Sequence, residues 1–141
     1  MSAEIALYQL LANAGSSAGS AVYPLRSPDT PSYPHITYQM VSSNQPGRSR
    51  DGRGDSAGGT ANYNDSVGAV RERWQVTSRG LTYEQARVLA GEIRPYLDGF
   101  GGTVSGTVIQ AIYVENEQDL DYETGSNEYH RIFDAIIWRQ T

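Results

Sequence analysis

Residues 69–100 read AVRERWQVTSRGLTYEQARVLAGEIRPYLDGF. From Ala69 to Arg79 the side chains alternate. Val70, Glu72, Trp74, Val76 and Ser78 fall on one side; Arg71, Arg73, Gln75, Thr77 and Arg79 fall on the other. A period of two belongs to a strand. The segment is therefore predicted as a strand with one mostly buried face around Trp74 and a row of arginines toward solvent or a neighbour. After Gly80 the period changes. Thr82-Tyr83-Glu84-Gln85 is a capping-box pattern, with Thr82 as N-cap and Gln85 at the third helical position. Ala86, Leu89, Ala90, Ile93 and Leu97 then recur at the core spacing of a helix. Pro95 should kink its last turn, and Gly99 supplies a C-terminal stop.

Upstream, Ser2 as N-cap and Glu4 in the first turn open a predicted first helix. Ile5, Tyr8, Leu11 and Ala12, flanked by Leu7 and Leu10, make its apolar face. Gly and Ser from Asn13 to Ser20 end it near Asn13 or Ala14. Ala21–Leu25 reads as a short edge strand or extended arm. Pro24, Pro28, Pro31 and Pro34 keep Arg26–Tyr33 irregular, because each lacks an N–H and biases its predecessor away from helix. A strand follows at about His35–Ser43, with Ile36, Tyr38 and Met40 on one face and Thr37, Gln39 and Val41 on the other.

Asn44 to Gly68, NQPGRSRDGRGDSAGGTANYNDSVG, has almost nothing apolar to bury. It cannot offset an ordering cost of about 1–2 kcal/mol per residue. A long connection between two antiparallel strands is expected, mobile in the free subunit. Downstream, Thr107–Glu115 and Tyr129–Arg139 are rich in β-branched and aromatic residues and are predicted strands. They flank an acidic, turn-like segment, Asn116–Glu128. The expected fold is α+β: a mostly antiparallel sheet of about four strands, two helices packed on one face, and a long inter-strand loop (residues 44–68).

At 141 residues the chain fits one domain, 1–141. It has no cysteine, which excludes disulfides, thiolate metal sites and cysteine nucleophiles. The net charge of -5 argues against a binder that relies on phosphate neutralisation. All of the basic residues are Arg, which fits a GC-rich genome and also supplies bidentate cations suited to interface ion pairs. No run approaches the roughly 18 apolar residues of a membrane span. The N-terminus lacks a basic leader region and carries Glu4, so it is expected to be part of the fold. No internal repeat is visible.

The acidic run ENEQDLDYETG places Glu115, Glu117, Asp119, Asp121 and Glu123 at alternate positions. Counted from Asp119 as a calcium loop, Thr124 stands where Gly is required and His130 where Glu is required, so the match fails. A solvated or partner-facing acidic loop is the expectation. Arg53-Gly54-Asp55 spells an adhesion tripeptide, but three letters in a loop built of Arg, Gly, Asp and Ser are read as chance. His35 and His130 have no nucleophile and orienting acid at hand, which leaves structural roles. Tyr38, Trp74, Tyr113, Phe133 and Trp138 lie on predicted strands, as core or interface rather than base-stacking surfaces. No catalytic, cofactor or metal residue is assigned, and no enzyme activity is expected.

The ordered set of motifs resembles the tail-completion, or tail terminator, proteins of long non-contractile-tailed bacteriophages and related phage-like particles. Tyr23-Pro24-Leu25 with the prolines after it, leading through Tyr33-Pro34 to Ile36-Thr37-Tyr38-Gln39, matches the family's opening. Arg73-Trp74-Gln75-Val76-Thr77 matches its next strand. The helix TYEQARVLAGEIRPYLDGF (Thr82–Phe100), the strand in Gly102–Ile112 and the acid-rich stretch closing in Asp119–Trp138 follow in order. The similarity spans nearly the whole chain. The departure is the 44–68 loop, longer and richer in Gly and Arg than the family pattern. Such proteins form a ring, usually hexameric, that caps the head-proximal end of the tail tube, stops its polymerisation and joins the head connector. The resemblance therefore implies a virion structural protein made in the host cytoplasm. Its implied partners are copies of itself, the tail tube protein and the head–tail connector or stopper. DNA would pass through the lumen without sequence-specific binding, and no membrane is involved. A head-side connector or stopper ring is the alternative, and a small non-viral binding module a more distant one. Under this reading Arg71, Arg73 and Arg79, with loop residues Arg48, Arg50 and Arg53, are expected to meet Glu115, Glu117, Asp119, Asp121 and Glu123 across subunits or across rings, setting register and encounter rate. The 44–68 loop is expected to order in the assembled particle.

Overall fold

A computed structural model describes residues 2–44, 69–120 and 128–140. The described elements are α1 (Glu4–Ala12), β1 (Val22–Pro24), β2 (His35–Asn44), β3 (Ala69–Gly80), α2 (Tyr83–Leu97), β4 (Gly102–Val104), β5 (Thr107–Leu120) and β6 (Tyr129–Gln140). The strands form one six-stranded sheet in the order β1-β2-β3-β6-β5-β4. β1 runs parallel to β2, and every other neighbouring pair is antiparallel. The expected α+β class and two helices are present. The sheet is mixed and larger than the one of about four strands expected: β1 is the short edge strand read in Ala21–Leu25 and runs parallel to its neighbour, and β4, three residues with no separate counterpart in the sequence reading, extends the other edge.

The β3 alternation holds: Trp74 pairs directly with Ala135 of β6, which aligns Glu72, Trp74 and Val76 with Phe133, Ala135 and Ile137 on one face. Onto that face α2 sets Leu89, Ile93 and Leu97, and α1 sets Leu7, Leu10 and Leu11, all in one core cluster with Ile36, Tyr38 and Ile112. Each such Leu or Ile contributes roughly 1.5–3 kcal/mol on burial. The α2 start is as expected: Thr82 Oγ1 accepts from Gln85 N–H at 3.1 Å, and Gln85 Oε1 accepts from Leu81 N–H at 2.7 Å. Its buried residues are Ala86, Leu89, Ala90, Ile93 and Leu97, it runs through Pro95, and Gly99 follows its C-cap at φ 87.

Two expectations are corrected. In α1 the N-cap is Ala3, not Ser2, whose Oγ instead accepts from Glu4 N–H at 3.2 Å. The buried side is Ala3, Ala6, Leu7, Leu10 and Leu11, while Ile5 is 65% exposed. The helix is anchored by the sheet rather than by its own cap: Ala3 N–H donates to Glu72 Oε1 at 3.0 Å. Second, β5 does not stop at Glu115 but continues to Leu120, through residues expected to form a turn. A bulge between Glu115 and Gln118, with Asn116 at φ 58, carries the strand on. The inserted residue swaps faces, so Glu117 and Asp119 turn toward the helices while Glu115 stays on the far side. β2 and β3 are antiparallel neighbours flanking the long connection, as expected. The 44–68 loop beyond Asn44 lies outside the described residues.

Candidate functional site

The face of the sheet away from the helices carries the arginine row. Cross-strand pairing orders it into rows: Asn44, Arg71, Trp138 and Ala111 form one, and His35, Arg79, His130 and Leu120 form another. Between them Gln39, Gln75, Asp134 and Glu115 lie side by side.

Arg73 and Arg79 are already engaged within the chain. Arg73 donates to Asp134 Oδ2 from Nε at 3.1 Å and from Nη2 at 2.6 Å. Asn116 Nδ2 donates to the same oxygen at 3.1 Å. These groups line a polar hollow of about 400 Å³ with Gln75, Glu117, Gln118 and Ile132. Arg79 donates from Nε to Thr37 Oγ1 at 2.9 Å and lies 3.3 Å from Glu128 Oε1. Its Nη1 is 3.0 Å from His130 Nε2, which is itself 2.8 Å from Glu128 Oε1. Tyr33 donates its hydroxyl to Glu128 Oε2, which ties the proline-rich segment to this end of the sheet. That hydrogen bond, helped by burial, pushes the Tyr33 hydroxyl up to about 12. His130 is pushed down to about 3, first by burial and then by the Arg79 cation and His35. His35 also titrates below its ordinary value, because burial outweighs the hydrogen bond between Nδ1 and the Ser32 carbonyl. Arg71, by contrast, makes no side-chain hydrogen bond or ion pair among the described residues.

The acidic strand is engaged too. Glu117 accepts from Arg94 Nη1 at 2.5 Å and lies 3.5 Å from Arg131 Nη1. Asp119 accepts from Arg131 Nε at 2.7 Å and from the Tyr83 hydroxyl at 3.1 Å. The Arg131 bond above all holds the Asp119 carboxyl below its usual range. Arg131 is held above its own usual value, chiefly by the same bond, and sits 5.7 Å from the Tyr83 ring centroid. This network staples α2 to β5 and β6. Glu115 is exposed on the far face. Arg48, Arg50, Arg53, Asp121 and Glu123 lie outside the described residues.

Sequence reasoning named one half of these pairs and missed the other: Arg94, Glu128, Arg131 and Asp134 had no motif to mark them, nor had Arg139, whose Nε lies 2.6 Å from Glu72 Oε2. Glu72 had a signal, since the alternation of β3 already put it beside Trp74 on the buried face. Among the described residues no group of His, Asp and Glu is arranged to hold a metal ion, and no helix is long and apolar enough to cross a membrane.

No protein-family model matches the chain, and no curated protein matches it. Solved structures do match its fold. One is a chain in a structure described as the virion of a native gene transfer agent particle. The similarity covers 96% of this chain and 92% of that one, at a TM-score of 0.61 and 11% identity, which is a likeness of fold.

Proposed function

We infer that this chain is a virion structural protein: a tail-terminator subunit that assembles into a hexameric ring at the head-proximal end of a tail tube. The observation that carries this reading is the correspondence with a virion chain of a gene transfer agent particle over nearly the full length of both chains. The ordered motifs of Tyr23–Gln39, Arg73–Thr77 and Thr82–Phe100 support the terminator role within that class. Its partners under this reading are further copies of itself in a hexamer, the tube protein below and the head connector above. The far sheet face, with Arg71 and Glu115 unengaged among the described residues, is the surface offered to the tube protein and the connector. Both 1–141 as one domain and the virion as its location belong to the same reading.

The test is electron microscopy of particles assembled with the gene disrupted. Overlong or irregular tubes beside full, unattached heads support tail termination. Tails of normal length that fail to join heads, or heads that leak DNA, reassign the chain to a head-side connector or stopper.

A further inference from the structure

The two edges of the sheet are stepped, and the steps complement each other. On one edge β1 covers β2 only from Ile36 to Tyr38. Leu25 N–H closes on the Tyr38 carbonyl at 2.8 Å, and at Leu25, with φ 65, the chain turns away. Gln39–Asn44 are all exposed and carry no strand on their outer side among the described residues. On the other edge β4 covers Thr107–Ile109. Its approach continues the cover: Gly99 N–H donates to the Ile112 carbonyl at 2.8 Å, and Ile112 N–H to the Phe100 carbonyl at 3.1 Å. Asp98 Oδ1 then takes Val114 N–H at 3.0 Å. From Glu115 to Leu120 no strand lies outside β5 among the described residues.

The cross-strand rows put these steps at matching levels. Asn44 shares a row with Ala111, and His35 shares one with Leu120. The open end of β2 therefore lies at the level where the opposite edge is filled, and the open end of β5 lies at the level where β1 projects.

We propose that successive copies of this chain join edge to edge, the Phe100–Val104 edge of one copy sliding along the strand direction from its own row level to seat beside Gln39–Asn44 of the next, a stagger of the kind that tilted strands need to close a ring. The sheet then runs on from subunit to subunit. This rests on the ring reading above. Main-chain hydrogen bonds drive such strand addition. Neither stretch carries a charged side chain, so no like charges are brought together. The β2 stretch has no Lys and no Pro, the usual guards of an open edge, and only the irregularity between Met40 and Ser42 interrupts it. β1 is guarded, because Pro24 has no N–H to offer. Successive antiparallel pairings make β4 run in the same direction as β2, so the junction is parallel. Two different edges meet, which makes the contact heterologous and lets a rotation close it into a ring.

The chain has no cysteine, which permits a clean cross-linking test. Ser42→Cys, Ser43→Cys and Asn44→Cys are each combined with Thr103→Cys and carried into assembled particles. Neighbouring strands lie about 4.7–4.9 Å apart, inside the roughly 4.4–6.8 Å window of Cα separations for a disulfide. Mild oxidation should convert at least one double variant into a ladder of covalent multimers, while the single variants stay monomeric on denaturing gels. Normal tails that contain the double variants yet give no multimers overturn the edge junction and leave the ring reading standing. Dimers from Ser43→Cys alone overturn it in favour of β2 pairing with its own like. Particles assembled with the parent chain whose tails lack it overturn the ring reading, and the junction with it.

Discussion

Glu72 and Arg139 form an ion pair across the sheet, with Nε 2.6 Å from Oε2 and the Glu72 side chain fully buried. The other carboxylate oxygen accepts from Trp74 Nε1 at 2.8 Å and from the N–H of Ala3 at 3.0 Å. One carboxylate thus fastens the start of α1, the core tryptophan and the end of β6. Removing one partner of a buried, hydrogen-bonded pair leaves the others desolvated and costs about 3–5 kcal/mol. Glu72→Ala should lower stability in urea by that order, and Glu72→Gln by less, since it can still accept from Ala3 and Trp74. A double variant, Glu72→Leu with Arg139→Leu, should recover part of the loss. Equal stability of Glu72→Ala and the parent chain would refute this account.

The two buried histidines make stability depend on pH in a defined direction. His130 and His35 are buried at 4% and 0% exposure beside Arg79, and both titrate below 6.5 in the fold, His130 at about 3. Between those values the unfolded chain binds protons that the folded chain does not, so stability is fully present above about pH 6.5 and falls as pH drops toward about 3. Around them sit Glu128, Arg79 and Tyr33. Urea midpoints measured from pH 7 to 4.5 should fall for the parent chain and fall less steeply for His130→Gln. Parallel curves would assign the acid sensitivity elsewhere.

Much of this fold is written in local pattern. β3 and α2 could be read because each satisfies its own period and its own cap: Gln85 and Thr82 close the α2 start with no help from the rest of the chain. The parts that were misread depend on distant residues. Ile5 looks like a core residue until Glu72, far along the chain, fixes Ala3 and with it the rotation of α1. Asn116–Leu120 looks like an acidic turn until Arg131 and Arg94 compensate Glu117 and Asp119 and let the strand continue. Charge signs were legible in the sequence. Which charges pair within the subunit was not, because pairing across β3, β6 and β5 is set by register.

Gly80 should not tolerate a side chain. A Cβ there would lie 2.5 Å from Gln85 Cβ and 2.9 Å from the Ala86 nitrogen, where the end of β3 presses on the first turn of α2. Backbone cannot retreat as a flexible side chain can, so Gly80→Ala should cost about 1–3 kcal/mol. Gly91→Ala is the internal control, because nothing lies within 4 Å of its added Cβ and alanine favours the helix. Thermal unfolding should place the two variants on opposite sides of the parent. A Gly80→Ala chain as stable as the parent contradicts the tight contact.

Ser78 carries a buried hydroxyl with no hydrogen-bond partner among the described residues. Its neighbours across the ladder are Ile36 and Arg131. A desolvated hydroxyl without a partner costs roughly 1–3 kcal/mol, and alanine removes it with little change of volume. Ser78→Ala should therefore be neutral or raise the melting temperature. A clear loss of stability would mean that the hydroxyl is bonded in solution.

Arg71 and Arg73 should respond differently to charge reversal, although they are alternate residues of one row. Arg73 is held by Asp134 through two donors, and its reversal places a second carboxylate against that buried acid. With the arginine 41% exposed, solvent screening limits the loss, and Arg73→Glu should destabilise the free subunit by about 1–2 kcal/mol. Arg71 has no such partner among the described residues and stands beside Trp138 on the far face. Arg71→Glu should leave the subunit within about 0.5 kcal/mol of the parent while impairing its incorporation into particles. Urea unfolding of the free subunit reads the first effect, and the amount of chain in purified particles reads the second. Normal incorporation of Arg71→Glu removes that arginine from the assembly surface; a destabilised Arg71→Glu subunit shows that its role lies within the fold.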